Sequence, residues 1–479
     1  MQEDIFIKGI WFLPNKSQTR ITGELSFSRS QGAELKLLGI LSYNSKSRAD
    51  IDKNVSIING ISSDGVRITL YKCYMTQRGF HSEGLETSTY DCIYVFLGVL
   101  LQRAEDLVFN ELRCRIKNFE LWLDSSGFKK MHFNKESCTG IIEYQQPDDH
   151  LYKVSSMLDI IFRFGTAFPR ENNSYSVNID QKCEIIIKPT NLEATFEALL
   201  DWLFSFNHFM SLAYFGLPNK MEIYVAKRES LIPDDSPLYM NAYKVLFPSR
   251  KGNFMEKERK HRYDFLFQFP TVQDNFEQII RKWFEAESTI DPVIGALVES
   301  FINKDQPVEF KFLNLAHAIE TFHRRLRLGT VESTEVFKEK LSSILENTPE
   351  NYKLWLKEKL NYSNEYTLHE RIDLLINELP QRLKTALFKP SVPEFIKNFK
   401  NSRNYYTHYD SRLKKKALHG NDLFYLTERM KIFLVALLMR EVGFTDEETE
   451  EIVLKRSIFL YNHIIDRNEI SAYYYPSNV

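Results

Sequence analysis

The stretch VPEFIKNFKNSRNYYTHYD, residues 392–410, decides the fold of the second half of this chain. Its apolar residues recur three and four positions apart, which is the spacing of one face of an α-helix. A proline near its start is compatible with the first turn of a helix. The pattern predicts a helix that begins after Pro393 and is closed by the residues Arg403–His408.

Helical spacing continues on both sides of this stretch, from about residue 273 to about residue 465. In one of these segments, Leu315, Ala318, Ile319, Phe322 and Leu326 form a single apolar stripe. The sequence therefore predicts a helical bundle. Its other predicted helices are FEQIIRKWFEAE (276–287), PVIGALVESFIN (292–303), EFKFLNLAHAIETFHRRLRLG (309–329), EVFKEKLSSIL (335–345), LHERIDLLINELP (368–380), DLFYLTERMKIFLVALLMREVGF (422–444) and EETEEIVLKRSIFLYNHIID (447–466).

The first half of the chain instead has short β-prone runs separated by turn residues, which predicts an antiparallel sandwich or barrel-like sheet. One buried amphipathic helix is expected between residues 191 and 215. The predicted fold class is α+β, with a β-rich domain over residues 1–272 and a helical domain over residues 273–479. The predicted strands are IFIKGIWFLP (5–14), ITGELSFS (21–28), AELKLLGIL (33–41), VSIINGI (55–61), VRITLYKCYM (66–75), DCIYVFLGVLL (91–101), FELWLDSSG (119–127), CTGIIEYQQ (138–146), CEIIIKP (183–189), KMEIYVAKR (220–228) and LYMNAYKVL (238–246).

Composition, charge and cysteine content indicate which classes of protein the chain can belong to. Hydrophobic residues make up 43% of the chain and aromatics 14%, which is enough apolar material for packed cores. The formal net charge of -2 carries no nucleic-acid signal, so any RNA contact requires a local basic patch. The five cysteines form no C-x-x-C pair and predict reduced thiols without a disulfide or a zinc site. No signal pattern and no membrane-length apolar run is found, so we expect a soluble cytoplasmic protein.

The familiar motifs for nucleotide hydrolysis, dinucleotide binding, zinc proteolysis and serine hydrolysis are missing from the sequence, and we expect no cofactor. The spacing R-x(4–6)-H occurs at Arg403 and His408, but it also occurs from Arg412 to His419 and from Arg456 to His463. Three features favour the first pair. Asn404 follows the arginine, tyrosines surround the histidine, and the segment closes a helix.

This residue set is suited to metal-independent RNA cleavage. The reaction requires a base for the ribose 2′-hydroxyl, an acid for the leaving 5′-oxygen and a cation for the phosphate charge. Histidine and arginine supply these groups and would leave 2′,3′-cyclic phosphate ends. Positions five apart on a helix lie about 140° apart around its axis. Arg403 must therefore reach around the helix, or meet the His408 of a second chain in a symmetric dimer.

A structural interpretation remains open for each of these features. Asn404 and His408 could pack locally while Arg403 makes a surface salt bridge. The basic run Arg412, Lys414, Lys415 and Lys416 could follow an RNA backbone, or it could be a solvated loop. The cluster Glu320, His323, Arg324 and Arg325 could support the site, or its pair Glu320–Arg324 could be ordinary i,i+4 pairing within one helix.

The stretch FIKNFKNSRNYYTHYD, with the segments LAHAIETFHRRLRLG and LFYLTERMKIFLVALLMREVGF, resembles the HEPN domain of ApeA-like bacterial antiphage defence proteins. The first half resembles the β-rich domain of that family in GIWFLP, ITGELSF, LKLLGIL and FELWL. The resemblance implies that Arg403 and His408 are the catalytic pair and that Asn404 is the polar residue beside the arginine.

The resemblance further implies an abortive-infection endoribonuclease that acts as a homodimer or higher homo-oligomer. It would cleave host RNA once its N-terminal domain senses a phage component. Because HEPN relatives include anticodon nucleases, tRNA is a candidate substrate. The alternative function is a non-catalytic interaction protein, in which the helical domain mediates dimerisation or RNA binding and the N-terminal domain binds a partner.

Overall fold

The computed structural model describes residues 4–41, 53–80, 84, 86–167, 177–218, 221–228, 240–248, 261, 264–302, 305–327 and 329–460. The chain divides into two compact units. One unit comprises Met1–Asn207 with Pro218–Arg259, and the other comprises His208–Leu217 with Lys260–Val479. The first is rich in strands and the second is helical, which confirms the predicted α+β class. The domain boundary at residue 272 stays a prediction.

The first unit begins with six antiparallel strands that close into a ring in the order β1-β2-β3-β6-β5-β4, with β4 paired to β1. This ring corresponds to the sandwich or barrel-like sheet predicted from β-prone runs separated by turn residues. Its interior is apolar, with Trp11 fully buried. Gly60 is required there, because a Cβ atom would lie 2.3 Å from the Trp11 ring. The strands are β1 (Ile5–Phe12), β2 (Ile21–Ser28), β3 (Gly32–Leu37), β4 (Asn54–Ser62), β5 (Arg67–Phe80) and β6 (Glu86–Leu97).

Strand β6 also extends this ring into an open antiparallel sheet in the order β6-β16-β15-β8-β13-β12-β11. The predicted helix is present as α2 (Phe196–Tyr214), and the division between the two units falls within it. Strands β7, β8, β9, β11, β12 and β14 have no counterpart among the strands that the sequence predicted. The remaining strands are β7 (Val108–Phe109), β8 (Glu111–Ile116), β9 (Phe128–Asn134), β10 (Thr139–Tyr144), β11 (His150–Lys153), β12 (Leu158–Ala167), β13 (Asp180–Pro189), β14 (Ala194–Thr195), β15 (Met221–Arg228) and β16 (Met240–Leu246).

The predicted strand FELWLDSSG is wrong, because residues Phe119–Leu123 form a short helix, α1. Phe119, Trp122 and Leu123 are almost fully buried, and their spacing places all three on one helical face. The flanking residues Asn118 and Asp124 adopt left-handed backbone conformations that confine the helix to little more than one turn. A strand would have turned one of these apolar side chains towards solvent.

The second unit contains ten of the described helices. Helix α4 joins two predicted helices through a kink at Ile290, two residues before Pro292. Helices α3, α7 and α9 were not predicted. The helices are α3 (Phe269–Val272), α4 (Phe276–Ile302), α5 (Val308–Leu326), α6 (Thr334–Glu346), α7 (Glu350–Leu360), α8 (Leu368–Asn377), α9 (Gln381–Leu387), α10 (Val392–His408), α11 (Gly420–Glu441) and α12 (Asp446–Leu460).

Helix α11 lies at the centre of the bundle. Every residue from Met430 to Met439 is buried, and a helix that is buried on all sides must be surrounded by others. Helix α5 packs against it, and the predicted stripe of α5 is buried at Leu315, Ala318, Ile319 and Phe322. Helices α6 and α7 form an outlying hairpin, since residues 333–363, all of which are described, include no buried residue. None of the described helices has the length and apolar character needed to cross a membrane.

Candidate functional site

Helix α10 carries the Arg403–His408 segment, and local contacts define both of its ends. The Ser391 hydroxyl accepts a hydrogen bond from the Glu394 amide at 3.4 Å, and Pro393 lies in the first turn. The helix thus begins at Val392, one residue before Pro393 rather than after it. At the other end, Tyr409 adopts a left-handed conformation and its amide donates to the Tyr405 carbonyl at 2.6 Å. The helix therefore ends at His408.

One face of α10 is buried and determines which side chains remain accessible. Its buried residues are Phe395, Ile396, Phe399, Ser402 and Tyr406. The rings of Phe399 and Tyr406 each lie 6.1 Å from the Phe312 ring of α5. This packing leaves Arg403 and Asn404 half-buried and His408 exposed.

The Arg403 side chain is held by a carboxylate of a different helix. Its Nη2 lies 3.3 Å from Oε2 of Glu320 on α5, and its Nη1 lies 3.4 Å from Oδ1 of Asn404. The Glu320 side chain is only 15% exposed, so this ion pair is less screened by solvent than a surface pair. A guanidinium has five N–H donors, and these two contacts leave the others available to a phosphate.

Glu320 is also the first step of a longer series of charges. Its Oε1 accepts from Arg324 at 3.2 Å, while Arg324 Nη1 donates to Oε2 of Glu365 at 2.8 Å. The same Glu365 oxygen lies 3.4 Å from Nη2 of Arg371. Arg403, Glu320, Arg324, Glu365 and Arg371 thus form an alternating series, which we call the charge ladder. Because the ladder fixes both oxygens of Glu320, it restricts where Arg403 can point.

A neutral histidine ends the charge ladder. Arg371 Nη1 donates a hydrogen bond to His323 Nδ1 at 3.1 Å, and the His323 side chain is 1% exposed. Burial, followed by the positive charge of Arg371, lowers the pKa of His323 to about 4. His323 is therefore neutral near pH 7 and acts as a hydrogen-bond acceptor. It supports Arg371 and is not a group that exchanges protons at the site.

His408 differs from His323 and His419, whose rings are hydrogen-bonded. Its side chain is exposed and makes no hydrogen bond with the part of the chain that the structure describes. The Asp410 carboxylate is close enough for His408 to contribute to its lowered pKa of about 2, although the hydrogen bond from Arg412 is the main cause. Within the described residues, Arg403 contacts Asn404 but does not contact His408.

The competing spacing match from Arg412 to His419 has a structural role. His419 Nδ1 lies 2.8 Å from the Tyr406 hydroxyl, and its Nε2 lies 2.8 Å from the Lys414 carbonyl. A carbonyl oxygen only accepts, so Nε2 carries a proton and donates it there. Both ring nitrogens are thus occupied. For the third match, His463 lies outside the described residues.

The basic run lies in an exposed turn between α10 and α11. Arg412 Nη2 pairs with Asp410 at 2.7 Å, and its side chain is 86% exposed. Lys414, Lys415 and Lys416 are exposed, with no ion pair to the described residues. The turn is anchored to α10 because the Leu418 amide donates to the Ser402 hydroxyl at 3.0 Å and His419 contacts Tyr406. The lysines are therefore held close to the end of α10 that carries His408.

Sequence reasoning did not identify Glu320 as a partner of Arg403. It weighed the cluster around Glu320 as a support of the site but favoured ordinary pairing of Glu320 with Arg324 within one helix, a pair that is present. The two residues Glu320 and Arg403 are separated by 83 positions, and no local spacing signals their contact. Within the described residues, no group of three or more acidic, histidine or cysteine side chains is placed to hold a metal ion.

Two family models match the chain. Residues 7–283 match the ApeA N-terminal domain 1, and residues 313–448 match the Apea-like HEPN domain. The second match includes Glu320, the Arg403–His408 segment and the basic run. No curated protein and no solved structure matches the chain.

Proposed function

The chain belongs to the ApeA family, with an ApeA N-terminal domain followed by an ApeA-like HEPN domain, and from this premise we propose that it is an antiphage endoribonuclease. HEPN domains are generally ribonucleases that commonly bind RNA and dimerise. One observation carries the proposal. Arg403 is oriented by the largely buried Glu320 carboxylate, while His408 on the same helix is exposed and has no hydrogen-bond partner among the described residues.

The proposed reaction assigns one role to each residue. A His408 imidazole accepts the proton of the ribose 2′-hydroxyl while that oxygen attacks the phosphorus. Arg403 donates N–H groups to the non-bridging phosphate oxygens and balances their developing charge. A protonated second His408 donates a proton to the departing 5′-oxygen. Every proton is accounted for by protein groups, so we expect metal-independent cleavage with 2′,3′-cyclic phosphate and 5′-hydroxyl ends.

A homodimer supplies the second histidine. Arg403 and His408 lie about 140° apart around α10, and the Glu320 pair draws Arg403 towards α5. Two copies of α10 related by a two-fold axis could place both arginines and both histidines around one phosphate. Asn404 then orients Arg403 through its Oδ1 contact, and the basic run contributes charge along the RNA backbone.

We propose that activity is released during infection, with the N-terminal unit as the sensor of a phage component and host RNA as the target. The candidate RNA is tRNA. In infected cells, His408→Ala should abolish protection, whereas His369→Ala, a substitution of an exposed histidine on α8, should leave it intact. Continued protection by the His408→Ala strain would contradict the nuclease proposal and favour a non-catalytic interaction protein.

The direct test is cleavage by purified full-length protein. Wild type, His408→Ala and His369→Ala are incubated with total bacterial RNA in EDTA, with and without lysate from infected cells, and the RNA ends are tested for cyclic phosphate. We expect cyclic phosphate ends from wild type and His369→Ala only. Equal cleavage by the His408→Ala variant, or 3′-hydroxyl ends, would overturn the mechanism.

A further inference from the structure

Tyr409, the residue after His408, has an unusual backbone conformation. It caps α10 with φ 51° and ψ 32°, in the left-handed region that bulky side chains rarely occupy. Glycine or asparagine would cap this helix with less steric conflict. A tyrosine here is unfavourable for the cap itself, and such positions are often found where a side chain serves a function.

The Tyr409 ring is exposed but oriented. The residue is 65% exposed, although its ring makes edge-on contacts with Tyr405 at 5.6 Å and with Tyr406 at 6.3 Å between centroids. Tyr406 is 5% exposed and hydrogen-bonded to the Leu418 carbonyl, so it is a rigid support. Tyr405 in turn contacts the His419 ring at 5.4 Å. The aromatic cluster holds one ring at the protein surface at little further cost in side-chain entropy.

The surroundings of this ring suit a nucleotide. Its Cα atom is about 3.8 Å from that of His408, because the two residues are consecutive. The exposed lysines Lys414, Lys415 and Lys416 follow in the anchored turn. An aromatic face beside cationic side chains is the arrangement with which proteins bind unpaired bases and their backbone.

Resting on the proposed ribonuclease function, we propose that Tyr409 is a stacking platform for an unpaired base adjacent to the phosphate at His408. The substrate class is therefore RNA whose bases are accessible, in single strands or loops. Bases within a duplex are already stacked and paired, so they cannot present a face to the ring. The residue binds and positions substrate, and it takes no part in proton transfer.

Two substitutions of Tyr409 separate stacking from folding. Tyr409→Phe keeps an aromatic face, while Tyr409→Asn removes it and adopts the left-handed conformation more readily than tyrosine. Tyr352→Asn is the matched control, since Tyr352 lies on the outlying α6–α7 hairpin and is 55% exposed. All variants are full-length and carry His408→Ala, so that binding is measured without cleavage.

Binding is measured by anisotropy with a labelled single-stranded RNA, a tRNA transcript and a blunt duplex, and stacking by quenching of 2-aminopurine placed along the single strand. We expect Tyr409→Asn to raise Kd for the single strand and the tRNA about tenfold and to abolish quenching. Tyr409→Phe and Tyr352→Asn should retain both the RNA affinity and the quenching. The affinity for the duplex should not change in any variant. Equal single-strand affinity and quenching in Tyr409→Asn would overturn the stacking role.

Two further outcomes separate this inference from the function on which it rests. If Tyr409→Asn and Tyr409→Phe both shift the protein between oligomeric states, the ring is covered by a second copy and the stacking role is overturned. If wild type, with His408 intact, neither cleaves nor binds any of the RNAs, with or without infected-cell lysate, the proposed function fails and this inference fails with it. If wild type cleaves RNA and the Tyr409→Asn variant binds RNA as tightly as the protein with Tyr409, the stacking role is overturned while the proposed function stands.

Discussion

At the scale of single residues, two carboxylate oxygens of one glutamate have different partners. Glu320 Oε1 serves Arg324 on its own helix, whereas Oε2 serves Arg403 on α10. The first contact stabilises a helix, and the second determines where a candidate catalytic guanidinium points. The contribution of Glu320 to the rate of RNA cleavage can be measured separately from its contribution to the stability of the fold.

We expect Glu320→Gln to lower kcat for RNA cleavage about 10- to 100-fold with a smaller effect on KM, because a misplaced Arg403 stabilises the transition state less well. The control is Glu335→Gln, an exposed glutamate in the first turn of α6. Initial rates over a range of RNA concentrations give both constants. A purely structural role for Glu320 would instead lower the melting temperature and leave kcat per folded molecule unchanged.

His323 predicts a specific pH dependence of stability. Its pKa is about 4 in the folded protein, because of burial and the charge of Arg371, against about 6.5 when unfolded. The unfolded chain therefore binds a proton in this window that the folded chain does not. The free energy of unfolding should fall by about 1–3 kcal/mol as the pH drops from 6.5 towards 4.

The measurement is urea unfolding at pH 7 and pH 5 for wild type and His323→Gln. Glutamine retains an acceptor for Arg371 but does not titrate. We expect the variant to lose less stability than wild type over this interval. Equal losses in the two proteins would show that His323 does not titrate as inferred.

At the scale of elements, the turn between α10 and α11 is organised by its flanking helices rather than by its own residues. The Leu418 amide binds Ser402, and His419 binds both Tyr406 and the Lys414 carbonyl. The exposed lysines therefore lie in a turn that is anchored to the C-terminal half of α10. An anchored turn of this kind loses less conformational entropy on binding RNA than a free loop would.

Replacing Lys414, Lys415 and Lys416 together by alanine should weaken RNA binding and reduce the slope of log Kd against log salt by about 2, since each phosphate contact to a single strand contributes about 0.7. The control removes Lys338, Lys357 and Lys359, three exposed lysines of the α6–α7 hairpin. Titrations from low to moderate salt give both slopes. If the two triple variants have identical salt slopes, the basic run does not contact RNA and is a solvated turn.

At the scale of the whole molecule, a single chain presents Arg403 and His408 on different sides of α10. Within the described residues, each of the two has different surroundings and they do not contact each other. If two chains complete one site, a mutation of His408 in either chain disables that site. If each chain completes its own site, the unmutated chain of a heterodimer retains its activity.

We therefore expect heterodimers of one wild-type and one His408→Ala chain, co-expressed with different affinity tags and purified through both, to lose nearly all activity. The reason is that the proposed reaction uses the His408 of one chain as the base and the His408 of the other as the acid. RNA cleavage by the doubly purified sample measures this. Heterodimers with about half of the wild-type activity would place the whole site within one chain.

The sequence by itself determined the features that depend on residues close together in the chain. Short β-prone runs between turn residues predicted most strands of the first unit, and the spacing of apolar residues predicted α10 together with its end at His408. The stretch FIKNFKNSRNYYTHYD, with its flanking helical segments and the motifs of the first half, also resembled one family, which the matches over residues 7–283 and 313–448 confirm. Local backbone preference and periodicity act over a few residues, so a linear pattern records them.

Only the tertiary structure decided the features that depend on which distant groups meet. The segment FELWL fits both a strand and a helix locally, and burial of Phe119, Trp122 and Leu123 on one face selects the helix. His408 and His419 satisfy the same spacing rule, yet packing occupies both nitrogens of His419 and leaves His408 exposed. Glu320 meets Arg403 because α5 and α10 pack together. These contacts are set by the three-dimensional packing of side chains, and residue spacing along the chain does not record them.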